Sequence, residues 1–204
     1  MKLLYAPGAC SIGIHVILEE IGAPFEIEKV SLRDGEHFKE GFTARNPKSK
    51  VPTLIRDDGS VLTEFPAIAY YLAQTHPAAK LWPDGVEAQA RALEIIDYVV
   101  ATIHMQGFSR MFAPGKFAPS AADADAVKKR GLEIFETGLA LLDKTLAGKD
   151  YAVGPYSIAD AAMFYIEFWR MSGKQPLPPH LAAHYQRMLA RPAVQRVLKK
   201  EGLA

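Results

Sequence analysis

The period of the apolar pattern changes once along this chain, near residue 80, and that change limits the fold more than any other feature. Before it, short β-prone runs alternate with a helical pattern. After it, the apolar spacing is helical throughout. Lys2 to Tyr5 is a short β-prone run ending in a Pro7-Gly8 turn. Ile14, Ile17, Leu18 and Ile21 then fall at i, i+3, i+4 and i+7, one face of a helix, and Gly22 is placed to close it. Phe25, Ile27 and Val30 indicate a second strand, and residues 35–50 read as a polar loop with one short helix. Thr53 to Arg56 and Ser60 to Thr63 are two more strands, joined through Asp58-Gly59, a strong hairpin signal. Pro66 sits where a helix-starting proline belongs, and Ile68, Tyr71 and Leu72 continue that helix. A β-α-β unit followed by a hairpin and a helix predicts a mixed four-stranded sheet with helices on it.

Residues 75–85 hold two prolines, a glycine and Trp82, and read as a linker. Beyond them, Leu93, Ile96, Val100 and Ile103 have helical spacing, and a second long helix is predicted over about 123–146, before Gly148. Ser157-Ile158-Ala159-Asp160 reads as an N-terminal cap, with Asp160 in place of the usual Glu or Gln. Two last helices begin near Pro178 and Pro192. The predicted organisation is an α/β domain over 1–80 and an all-α domain over 81–204.

Composition removes several classes of function. With 49% hydrophobic and 23% charged residues, the chain has enough apolar side chains to offset ordering entropy. The 24 basic and 23 acidic residues leave a formal charge of +1, without the basic excess of a nucleic-acid protein. No apolar run approaches the ~20 residues of a membrane span. Met1-Lys2-Leu3-Leu4-Tyr5 starts like a leader, but Pro7, Gly8 and Gly13 break the run, so it is read as mature sequence. One cysteine, Cys10, leaves no intrachain disulfide, no Cys-x-x-Cys and no multi-cysteine zinc site, which suits a reducing cytoplasm. The histidines form no pair at zinc spacing, so no metal is expected.

Four places carry chemistry. Cys10 lies between a predicted strand and a predicted helix, where the helix N-terminus favours thiolate. A lowered thiol pKa and mixed-disulfide chemistry are expected there, against the alternative of an inert buried cysteine. Val51 precedes Pro52; a cis bond there would turn the Val51 backbone outward, but trans is the commoner form. Thr63-Glu64-Phe65-Pro66 leads into a helix with Phe65 read as its N-cap, a natural carboxylate site beside Glu64. Glu64 can take a ligand ammonium or be a solvated acid. His104 follows Asp97 by seven residues, on one face of an α-helix, and can hydrogen-bond a thiol or be structural.

Together these features resemble the cytosolic glutathione transferases, closest to the bacterial beta class, over essentially the whole chain. The resemblance is carried by Lys2-Leu3-Leu4-Tyr5 with Pro7-Gly8-Ala9-Cys10-Ser11; Asn46-Pro47-Lys48 with Val51-Pro52; Asp57-Asp58-Gly59 with Leu62-Thr63-Glu64; His104 to Phe108; Ser157 to Asp160; and Arg191-Pro192. It implies a thioredoxin-like N-terminal domain, a helical C-terminal domain, a cis Pro52, and a cytoplasmic homodimer with glutathione, the co-substrate, at the domain boundary. It implies that Cys10 contacts or covalently holds the glutathione sulfur. It further implies that the Val51 backbone pairs with the cysteinyl part, that Glu64 and Phe65 meet the γ-glutamyl end, that His104 lies near the thiol, and that Asp97 comes from the partner subunit. Cys10 and His104 would carry the thiol chemistry.

Three residues depart from the family pattern. Phe65 replaces a serine or glycine, Asp97 replaces an asparagine, and Gly35 stands near where the family has a ligand-contacting lysine. A serine at 65 is expected to cap the helix and tighten binding. The function implied is conjugation of glutathione to a hydrophobic electrophile, as in detoxification, with mixed-disulfide chemistry at Cys10. The other readings are a transferase-shaped binding protein with little turnover and a glutathione-dependent thiol-disulfide reductase. The apolar stretches Met105 to Phe112 and Phe164 to Met171 are the expected lining for the electrophile.

Overall fold

In the computed structural model, which describes residues 1–204, four strands form one sheet. They are β1 (Lys2–Tyr5), β2 (Glu26–Lys29), β3 (Thr53–Ile55) and β4 (Val61–Thr63), in the order β2-β1-β3-β4. β1 and β2 are parallel, with Leu3 opposite Ile27, while β1–β3 and β3–β4 are antiparallel. This is the expected mixed, thioredoxin-like sheet. Leu3 and Leu4 are both fully buried, so both faces of β1 are covered, as in sheets that carry helices. Leu4 packs with Ala6, Val30, Phe42 and Val51 in one cluster. Gly59, at φ 81°, supplies the positive φ that the hairpin turn requires.

Three α-helices belong to the sheet: α1 (Ser11–Ile21), α2 (Glu40–Thr43) and α3 (Phe65–Thr75). α1 is buried from Ser11 through Glu19, and Gly22 ends it in the left-handed conformation, its N–H returning to the Leu18 carbonyl at 3.1 Å. The polar connector holds α2 and a 3₁₀ turn, Glu36–Phe38.

The remaining helices are α4 (Val86–Asp97), a π-helical continuation (Tyr98–Phe108), α5 (Ser109–Phe112), α6 (Ala124–Thr145), α7 (Ile158–Ser172), α8 (Pro179–Ala190) and α9 (Pro192–Glu201). The chain forms two compact units, Met1–Pro83 with Arg187–Ala204, and Asp84–Gln186. The sequence reading instead placed all of 81–204 in the helical domain. Ion pairs account for the difference. Glu19 of α1 binds Arg196 at 2.5 Å and Lys200 at 2.6 Å, and Glu20 binds Arg191 at 2.6 Å. These hold α9 on the unit that carries the sheet. Nothing in the helical spacing of Ala193, Val194 and Val197 says which partner they will bury against.

In the helical unit the buried face of α4 is Ala92, Ile95 and Ile96; Leu93, expected in the core, is 40% exposed. The π stretch then buries Val99, Ile103 and Gly107, one residue in four. Its neighbour α6 approaches through glycines: a Cβ on Gly131 would lie 2.7 Å from the Gly107 carbonyl oxygen. The N-terminal cap of α7 forms as expected. Ser157 Oγ accepts from the Ala159 N–H at 3.3 Å, and Asp160 accepts from the Ser157 N–H at 2.8 Å.

Candidate functional site

The sheet unit brings together Cys10, Val51, Pro52, Glu64 and Phe65. Cys10 directly precedes the first turn of α1. Ser11 closes the loop before it, its Oγ accepting from the Ala6 N–H and donating to the Ala6 carbonyl, both at 3.2 Å. The Gly8 N–H donates to Glu201 of α9 at 2.9 Å. The Cys10 Sγ donates to the Val51 carbonyl at 3.4 Å, and the Val51–Pro52 bond is cis. The loop carrying Val51 is shaped by the buried Asn46. Its Nδ2 donates to the Lys50 carbonyl and to Thr53 Oγ1, both at 2.8 Å, and its Oδ1 accepts from the Lys48 N–H at 3.0 Å.

Cys10 behaves differently from the expectation. The residue keeps partial surface exposure, but burial of its sulfur pushes the thiol up to about 12. Glu64 acts in the same direction, while the Ser11 and Cys10 N–H groups and the Lys50 ammonium pull the other way without overcoming it. Being at a helix start is therefore outweighed by desolvation, which disfavours the charged form. At neutral pH Cys10 is a thiol.

The cap of α3 also differs. Phe65 is the first helical residue, and Glu64 is the N-cap, at φ 72° and ψ 126°. A positive φ on a side chain with a Cβ is strained backbone. The Phe65 side chain is 4% exposed. It is a buried apolar residue, so the expected benefit of a capping serine has no basis in the structure. The Glu64 carboxylate receives Lys48 Nζ at 2.9 Å, and the same ammonium donates to Thr63 Oγ1 at 2.9 Å. Gly35, at φ 68°, precedes the 3₁₀ turn in the left-handed region, which a lysine would adopt only with strain.

The other two expected residues lie in the helical unit. Asp97 is exposed at the end of α4. His104 is half-buried in the π stretch, its ring 4.7 Å from Trp169 and 5.7 Å from Tyr165. The same-face argument for 97 and 104 assumed α-helical turns. The i→i+5 bonding of a π-helix rotates each residue by less, so seven residues no longer bring the chain back to one face. Near His104, Phe108 stacks on Trp169 at 4.1 Å and on Phe112 at 5.6 Å, and Phe112 is 77% exposed. This gives the expected lining segments an open aromatic surface.

Sequence reasoning missed Lys50 and Glu201, and it saw Ser11, Lys48 and Asn46 only as parts of motifs. For Glu201, 193 residues from Gly8, no local signal exists. No group of three His, Cys, Asp or Glu side chains is placed to hold a metal ion, and no helix is long and apolar enough to cross a membrane.

Comparison with known proteins shows which family the chain resembles. Residues 8–75 match the family model for the glutathione S-transferase N-terminal domain. The chain is 34% identical to glutathione S-transferase GstA of Escherichia coli O157:H7, with all of both chains covered. Among solved structures, a sphingomonad glutathione S-transferase complexed with glutathione is 38% identical at a TM-score of 0.85, with both chains fully covered. A bacterial beta-class glutathione S-transferase from Sphingomonas chungbukensis is 34% identical at a TM-score of 0.86, again covering both chains fully.

Proposed function

This chain belongs to the glutathione S-transferase family, and from that premise we propose that it conjugates glutathione to hydrophobic, aromatic electrophiles, as a cytoplasmic homodimer. The observation that carries the reading is the Cys10 Sγ held 3.4 Å from the Val51 carbonyl, at the start of a helix. A peptide cysteinyl group pairing with the Val51 backbone would bring its sulfur to that thiol. The carboxylate of Glu64 and the positive end of the α3 dipole behind it suit the ammonium and carboxylate of a γ-glutamyl group.

Cys10, a thiol at neutral pH, acts in this reading as a hydrogen-bond partner for the glutathione sulfur, whose own thiolate is the nucleophile. Holding the two reactants together supplies the rate. The Phe108–Phe112–Trp169 surface suits a planar electrophile. The roles of His104 and Asp97 rest on the family resemblance and are assigned by substitution.

The test is conjugation of an aromatic electrophile by the wild type, Cys10→Ala and His104→Ala, with glutathione binding followed by calorimetry. Cys10→Ala is expected to retain conjugation with a raised KM for glutathione, and His104→Ala to lose kcat. Absence of both binding and turnover in the wild type would favour the binding-protein reading. Turnover of disulfides that disappears in Cys10→Ala, with no conjugation, would favour the reductase. Sedimentation at micromolar concentration tests the dimer, and a stable monomer would remove Asp97 from the site.

A further inference from the structure

We propose that Lys48 is a specificity-determining residue of the glutathione site: its ammonium sits on the Glu64 carboxylate that the ligand ammonium needs, so the ligand must displace it. The inference rests on the reading above that Glu64 takes the γ-glutamyl ammonium.

The geometry gives Lys48 this position. Its Nζ meets Glu64 Oε1 and Thr63 Oγ1 at 2.9 Å each, at the corner where β4 passes into α3. Glu64 is the N-cap of α3, yet its side chain makes no capping hydrogen bond to the helix. Its carboxylate therefore remains available to a cation, and Lys48 is the one bound to it. The backbone on both sides is constrained. Glu64 is fixed at φ 72°, and the Lys48 N–H is tied to the buried Asn46 at 3.0 Å. The two side chains, by contrast, are 52% and 55% exposed, so water can replace either partner. Lysine is a compact charge on a flexible stem, suited to leaving one carboxylate when a second ammonium arrives. Without Lys48, an unpaired Glu64 would hold the ligand ammonium more tightly and would oppose ionisation of any thiol at Cys10. Lys48 thus balances charge in the empty site and sets how strongly the ammonium is read when the site fills.

A paired ligand series measures this. The probes are S-methylglutathione and its analogue lacking the amino group, S-methyl glutaryl-cysteinyl-glycine, both with a blocked sulfur so that Cys10 chemistry plays no part. The quantity is the ratio of their dissociation constants, which isolates the ammonium from the general attraction of Lys48 for the ligand carboxylates. An exposed ion pair is weak, so Lys48→Met is expected to raise the preference for the ammonium-bearing ligand by only about two- to fivefold. In the Glu64→Gln background the same substitution should change the ratio not at all. If Glu64→Gln lowers the ratio but Lys48→Met leaves it unchanged or lowers it, Lys48 is no competitor and the proposal is overturned, while Glu64 keeps its role. If Glu64→Gln leaves the ratio unchanged, Glu64 does not read the ammonium, and the underlying assignment fails together with the proposal.

Discussion

Cys10 keeps its proton because the environment of one atom outweighs the field of the helix behind it. Burial is the larger influence on the sulfur, and the Val51 carbonyl accepts a hydrogen bond that only the protonated form can donate. Alkylation of Cys10 is therefore expected to keep accelerating as the pH rises well past the ~8.5 of a free cysteine. A rate that levels off below that value would return Cys10 to the reactive class. Phe65 was misread for a related reason. The proline at 66 fixes a helix start to within a residue, and one residue decides whether position 65 is a cap or a buried apolar side chain. Phe65→Ser, expected from sequence to stabilise, is expected from structure to destabilise by roughly 3–5 kcal/mol, the range for emptying a buried aromatic site. The denaturant midpoint measures it, and a midpoint at or above wild type would make the cap reading correct after all. The meeting of Cys10 with Val51 was legible at this scale; protonation and burial were not, because both depend on what the rest of the chain encloses.

At the scale of elements the sequence was legible wherever one period held. β1, α1, the Asp58-Gly59 hairpin and the cap of α7 all rest on local patterns of a few residues, and all are present. The π stretch has no such signature. Val99, Ile103 and Gly107 are buried one residue in four, a spacing that an α-helical reading does not separate from its own. Between α7 and α8 the structure adds a buried charge cluster that no pattern announces. His184 Nδ1 meets Glu167 at 2.7 Å and its Nε2 meets Asp160 at 3.2 Å, with all three side chains fully buried. Burial opposes the charged imidazole, but Glu167 and then Asp160 outweigh it and raise the His184 pKa to about 9. The folded value exceeds the ordinary 6.5, so the stabilisation is complete below pH ~6.5 and is lost as pH rises towards about 9. It amounts to on the order of 3 kcal/mol at 1.36 kcal/mol per pKa unit. Unfolding midpoints followed from pH 6 to 10 should fall over that window in the wild type. An equally steep fall in His184→Gln would assign the loss to other groups.

At the scale of the whole chain, the two ends meet. Glu201, in the last turn of α9, has its side chain fully buried against the first helix and the loop that leads to Cys10. One carboxylate oxygen lies 2.8 Å from His15 Nδ1, and the other accepts the Gly8 N–H at 2.9 Å. His15 Nε2 is buried without a hydrogen-bond partner, so the arrangement calls for the hydrogen on Nδ1, donating to Glu201. Gly8, at φ 68°, lies two residues before Cys10, so the same carboxylate sets the start of the site. Removing this acceptor takes a buried hydrogen bond from each of its two N–H donors and costs on the order of 1–3 kcal/mol per donor. Glu201→Ala is accordingly expected to lower the denaturation midpoint and to raise the KM for glutathione, because the Gly8 N–H then loses its acceptor. Glu201→Gln keeps an oxygen for one donor and should recover part of both effects. Thermal melts and glutathione titrations of the two variants side by side decide it. An alanine variant as stable as wild type would mean that α9 is held by its outer ion pairs to Glu19 and Glu20. In that case the loop before Cys10 would be set by Ser11 and its two bonds to Ala6, with no contribution from the far end of the chain.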